Sequence, residues 1–118
     1  MGQWTLRPAL LPMRQTPETK KALERDQYLC QWCLRKDKIA REVFQYVKGY
    51  PGMGGGHHIF GRARVDVAEA TIGLCGEHHW KVENAKISMK EIVELQESIR
   101  HVDLKLKYRE FYSEKAKI

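Results

Sequence analysis

Apolar and polar residues follow one another along this chain in short blocks, and each block predicts a different element. Thr16 followed by Pro17 starts a helix: a hydroxyl caps the free N–H groups, then comes a proline whose missing N–H does no harm there. That helix is expected to run from Pro17 to about Asp26 and lead into a turn at Cys30–Cys33. Residues 39–47 (IAREVFQYV) are rich in β-formers and loosely alternating, which predicts a strand. The breaker-rich run 49–56 (GYPGMGGG) predicts a flexible loop that delivers the chain into His57-His58-Ile59-Phe60. A second β-like run, Ala70 to Leu74, precedes Cys75, with a helix beginning near Gly76. Ser88 and Glu91 have the spacing of a capping box. Behind them Ile92, Leu95, Ile99 and Val102 fall at helical spacing, as a core-facing stripe does. A last helix from Asp103 carries Leu104, Tyr108, Phe111 and Tyr112 as packing residues. Residues 1–16, with Pro8 and Pro12 and no periodicity, read as an extended arm that Trp4, Leu6 and Leu10 pack back onto one domain spanning 17–118.

Helices mixed with two or three short strands make this a small α+β chain. Its 118 residues suffice for one domain and a modest core, so a structural metal would add much to its stability. Lys and Arg outnumber Asp and Glu by 21 to 15, and the pI is about 9.3, a balance that favours a polyanionic partner such as nucleic acid. No apolar run approaches the ~18 residues that span a bilayer. Met1 to Thr16 lacks the basic, apolar, then small-residue layout of a secretory signal, so an intracellular, cytoplasmic setting is expected. In that reducing setting three cysteines, two of them in Cys30-Gln31-Trp32-Cys33, point to metal or redox chemistry rather than to disulfides.

Cys30-x2-Cys33 pairs naturally with Cys75-x2-His78, and two such hooks supply the four ligands of a tetrahedral structural zinc ion. A closed shell of thiolates and imidazole holds a fold together rather than doing chemistry. The staple needs one of five histidines, and His101 on the late helix reads as a surface residue. That leaves His57, His58 and His79, two adjacent and the third abutting a zinc ligand. A zinc-binding module with no further task has no need of these three.

Taken in order, Arg25-Asp26-x3-Cys30-x2-Cys33, then His57-His58-Ile59-Phe60-Gly61-Arg62, then Leu74-Cys75-Gly76-Glu77-His78-His79, resemble the HNH endonuclease pattern of phage and homing nucleases. The resemblance covers about residues 25 to 84 and leaves out the arm and the last two helices. It implies a ββα-metal (His-Me finger) core around one catalytic divalent ion, in a phage or mobile-element setting. It assigns His57 and His79 to that ion, with Glu83 as a further ligand and Asn84 as a rival for its place. His58 becomes the general base. The residue count also permits His79 on zinc and His78 on the second ion; the family pattern puts His78 on zinc. The family usually has an asparagine five positions before the third cysteine, where it orients the base, and here that position is Ala70.

The resemblance thus implies a metal-dependent DNA endonuclease. A neutral histidine takes a proton from water at physiological pH, the water attacks phosphorus in line, and the products carry a 5′-phosphate and a 3′-hydroxyl. Magnesium or manganese, or else nickel or cobalt, suits such a site. Arg62, Arg64, Lys81 and Lys86 are assigned to phosphate contacts. With one site per chain, a monomer or weak dimer is expected to nick one strand per event. The alternative is a zinc-stapled DNA-binding or adaptor module that hydrolyses nothing; a thiol-redox protein ranks third, because no βαβ pattern surrounds Cys30 and Cys33.

Overall fold

The computed structural model describes residues 15–50 and 52–112; Trp4, Leu6 and Leu10 of the expected arm lie outside them. Helix α1 is Pro17–Arg25, and it starts as expected. The Thr16 hydroxyl accepts the Thr19 N–H at 3.2 Å and Pro17 occupies the first turn. It ends at Asp26, after which Gln27 and Tyr28 both take positive φ and swing the chain toward the first cysteine pair. Cys33–Asp37 form a single π-helical turn.

Residues 39–47 do not form the expected strand. Val43 and Phe44 are consecutive and both buried, which breaks the period of two that a half-buried strand requires. They pack with Leu23 in a small cluster of their own. The segment instead lends two hydrogen bonds to the cysteine turn: Cys30 N–H donates to Arg41 O and Val43 N–H to Tyr28 O, both at 2.8 Å.

The glycine-rich run is also more ordered than its composition predicts. Strand β1 is Gly55–His58 and pairs antiparallel with β2, Thr71–Leu74, in the register Gly55 to Leu74, Gly56 to Gly73, His57 to Ile72 and His58 to Thr71. Gly54 has no room for a side chain: a Cβ there would lie 2.2 Å from Val43 O and 2.3 Å from Leu74 O. Close backbone approach, not flexibility, explains that glycine.

Helix α2, Gly76–Glu83, follows β2 directly, so two strands and a helix succeed one another in the chain. Helix α3 is Met89–Arg100, opened by the Ser88–Glu91 capping box, with Ile92 and Leu95 buried and Ile99 and Val102 packed at the rim. His101 ends it in the left-handed region and is exposed. The expected last helix is a single turn, α4 (Leu104–Lys107), capped by Asp103; Tyr108, Phe111 and Tyr112 pack without extending it.

The result is an α+β domain whose two-stranded sheet lies against α1, with α3 fastened to it. Asp26, buried at the end of α1, accepts the Gly73 N–H at 2.9 Å and pairs with Arg25 and with Arg100 of α3. Gln96, fully buried on α3, donates to Glu69 O at 2.8 Å and Thr71 O at 3.1 Å. No described helix is long and apolar enough to cross a membrane.

Candidate functional site

The four expected staple residues come together. Cys30, Cys33 and Cys75 are fully buried and His78 is 3% exposed. Their ligand atoms lie within 4.8 Å of one another, the one such set of three or more among the described residues. His78 Nδ1 faces the sulfurs of Cys75 at 3.3 Å, Cys33 at 3.4 Å and Cys30 at 3.7 Å, and the Cys33 and Cys75 sulfurs are 3.9 Å apart. Zinc bonds of ~2.3 Å to sulfur and ~2.0 Å to nitrogen, at tetrahedral angles, require spacings of about 3.5 Å from sulfur to nitrogen and ~3.8 Å between sulfurs. Donor set and spacing both fit a zinc ion. The second hook arises because Cys75 is the N-cap of α2, so one helical turn carries His78 back over it.

The surroundings support the same reading. Cys33 N–H donates to Cys30 Sγ at 3.4 Å, and Arg41 reaches both Cys75 Sγ at 3.6 Å and Glu77 at 2.8 Å. Packed together, the three sulfurs cannot ionise independently. Hydrogen bonds with Cys30 and Cys33 hold the Cys75 thiol far below its ordinary range, while bonds with Cys30 and Cys75 push Cys33 far above it. Burial disfavours charge on His78, but hydrogen bonds with Cys30 and Cys75 outweigh it and raise the imidazole to about 9. A divalent cation resolves that conflict by taking every donor in its deprotonated form.

His79 is the next residue and points elsewhere, which settles which of the two neighbours joins the staple. Its ring stands 5.7 Å from that of His57, centroid to centroid and nearly perpendicular, and its Nε2 lies 3.7 Å from Glu83 Oε2 one turn on. His57, His58, His79, Glu83, Arg62 and Arg64 all line one cleft of about 890 Å³. Asn84, by contrast, caps α2 with its side chain on Trp80 O at 2.9 Å and does not line the cleft. Arg64 stacks over the Phe111 ring at 5.8 Å. Lys81 and Lys86 sit in a separate hollow of about 460 Å³ with Trp32, Tyr50 and Trp80, and Lys81 is paired with Glu77 at 2.8 Å.

Successive residues of a strand project to opposite faces. His57 accordingly turns toward α2, and His58 turns toward α1. His58 Nε2 lies 2.9 Å from Asp66 Oδ1 and 3.1 Å from Thr19 Oγ1. Thr16, the α1 cap, donates its hydroxyl to the same Asp66 oxygen at 2.9 Å. Burial works against a charge on Asp66, yet hydrogen bonds from His58 and Thr16 prevail and hold its carboxyl below the usual range. The motif has no place for Asp66, Thr19 or Gln96. Asp66 is eight residues from His58 and Thr19 thirty-nine, so no local spacing announces them. Ala70 has no polar side chain, and its carbonyl accepts the Ile59 N–H at 3.0 Å; Gln96 and Arg25 clamp the carbonyls on either side of it.

No protein-family model, curated protein or solved structure matches this chain.

Proposed function

We propose that this chain is a zinc-stapled HNH-type DNA endonuclease with a ββα-metal core. The observation that carries this reading is one cleft lined by His57 and His58 from β1, His79 and Glu83 from α2, and Arg62 and Arg64 from the loop between the strands. The succession of two strands and a helix, and a staple that uses His78 and spares His79, support it further.

His57, His79 and Glu83 are the residues that would hold the catalytic ion. His79 links the other two, its ring 5.7 Å from that of His57 and its Nε2 3.7 Å from Glu83, and a catalytic site would leave a position for substrate beside these three. A magnesium or manganese ion held there would supply charge neutralisation at the phosphate and at the leaving oxygen. His58 takes the proton from the attacking water. Arg62 and Arg64 hold the DNA backbone without reading its sequence. With one such cleft among the described residues, each encounter is expected to nick a single strand.

The test is supercoiled plasmid incubated with protein that retains zinc but is stripped of other ions, with and without manganese or magnesium. Open circle is expected only with added metal, ahead of linear product. DNA binding with no conversion under any divalent ion would instead assign the chain to a non-catalytic zinc-stapled binding module.

A further inference from the structure

A histidine acting as a base needs a lone pair on a defined nitrogen, and something must decide which nitrogen that is. The HNH resemblance gives the orienting of the base to an asparagine before the third cysteine, and Ala70 has no side chain that could do it. The hydrogen-bond chain around His58 does. A carboxylate only accepts hydrogen bonds, so every proton in the chain has one place to go. The Thr16 hydroxyl donates to Asp66 Oδ1 at 2.9 Å. The Thr16 oxygen in turn receives the Thr19 N–H at 3.2 Å and the Thr19 hydroxyl at 3.0 Å. Asp66 Oδ1, 2.9 Å from His58 Nε2, therefore requires the ring proton to sit on Nε2, and the Thr19 oxygen at 3.1 Å is a second acceptor for it. Nδ1 is left with its lone pair on a residue that lines the cleft.

We propose that Asp66, backed by Thr16 and Thr19, is the positioning residue for His58, fixing the Nε2–H tautomer and leaving Nδ1 to receive the proton from water. The role of His58 rests on the nuclease reading, but the contact itself is independent of it. Two of the supporting groups belong to the start of α1: the hydroxyl that caps the helix also holds the acid that orients the base. Glu18 adds a further tie between the same elements, accepting the Ala68 N–H at 2.9 Å and so pinning the segment that follows Asp66.

The experiment compares wild type, Asp66→Ala and Asp66→Asn as zinc-loaded full chains. Nitrogen-15 NMR reads the His58 tautomer without catalytic metal, and plasmid nicking supplies kcat and KM. Wild-type His58 is expected to show the Nε2–H form. Asp66→Ala should give mixed tautomers and a kcat about 10²-fold lower, with zinc content and KM nearly unchanged. Asp66→Asn, which keeps an acceptor oxygen, should recover the tautomer and part of the rate. A wild-type His58 protonated on Nδ1, or an Asp66→Ala protein with unaltered tautomer and kcat, would overturn the proposal. Wild type that holds the Nε2–H form through Asp66 yet cuts no DNA would overturn the nuclease reading and leave the positioning contact standing.

Discussion

His78 and His79 are neighbours on one helix, and the two regions they serve differ in almost every physical respect. His78 is buried against three sulfurs, its Nδ1 within 3.3–3.7 Å of all of them. His79 keeps a quarter of its side chain exposed, in a cleft where it faces an imidazole and a carboxylate. A closed shell of four ligands leaves a metal nothing to react with, whereas a half-open set can admit water and phosphate. The difference shows how a helix, by advancing about 100° per residue, can send adjacent side chains to a buried cluster and to an open cleft.

The comparison breaks first at the staple. Cys33→Ala should lose zinc and cooperative folding together, because zinc-finger peptides gain roughly 10–16 kcal/mol from their metal; metal analysis and a thermal melt check this. A folded, zinc-loaded variant would mean that the staple is misassigned. His58→Ala should do the reverse, cutting plasmid about 10²–10⁴-fold more slowly while keeping zinc and its melting transition. Full activity in that variant would remove His58 from the mechanism.

Acid should also separate the regions. Without metal, His78 carries its proton up to about 9. That proton stabilises the metal-free fold in full below the unfolded value of ~6.5 and ceases to do so as pH rises through about 9. Zinc must displace it, so apparent zinc affinity should climb between pH 6.5 and 9, by about tenfold per unit for each proton released. Competition titrations against a chelator would show it, and a flat profile would contradict the proton count.

Gly54 belongs to both regions, wedged between the Val43 and Leu74 carbonyls just before β1. Gly54→Ala should cost about 1–3 kcal/mol in a urea melt, with nicking and zinc retention declining in step. The smallest effect is expected at the cleft rim. Arg62→Gln should weaken DNA binding a few-fold and lower the salt dependence by about 0.9 in slope. The same change at Lys86 should leave binding unaltered if the proposed DNA contacts stay within the cleft, and weaken it if they reach the second hollow.

Range decides how much of this is legible in the sequence. Cys30-x2-Cys33, Cys75-x2-His78, the Thr16 cap and the Ser88–Glu91 box are contacts made within one turn, and spacing alone reveals them. Residues 39–47 and 49–56 depart from their compositions for a common reason. β-branched composition suggests a strand where Val43 and Phe44 turn inward together, and glycine suggests slack where Gly55 and Gly56 pair with Leu74 and Gly73. In both segments the partner decides the conformation, and the partner is remote. The same holds at the cleft, where the motif singles out His57 and His58 but not Asp66 and Thr19.

The latch between α3 and the sheet bears on how such a domain can be inherited. Every candidate ligand at the staple or in the cleft lies before Asn84, so a gene fragment ending there would encode both sets of residues. It would lack Arg100, one of the two arginines on buried Asp26, and Gln96, which serves the Glu69 and Thr71 carbonyls. A fragment that is to keep these ties must therefore include α3. The stretch that fastens the fold runs past the stretch that bears the candidate ligands.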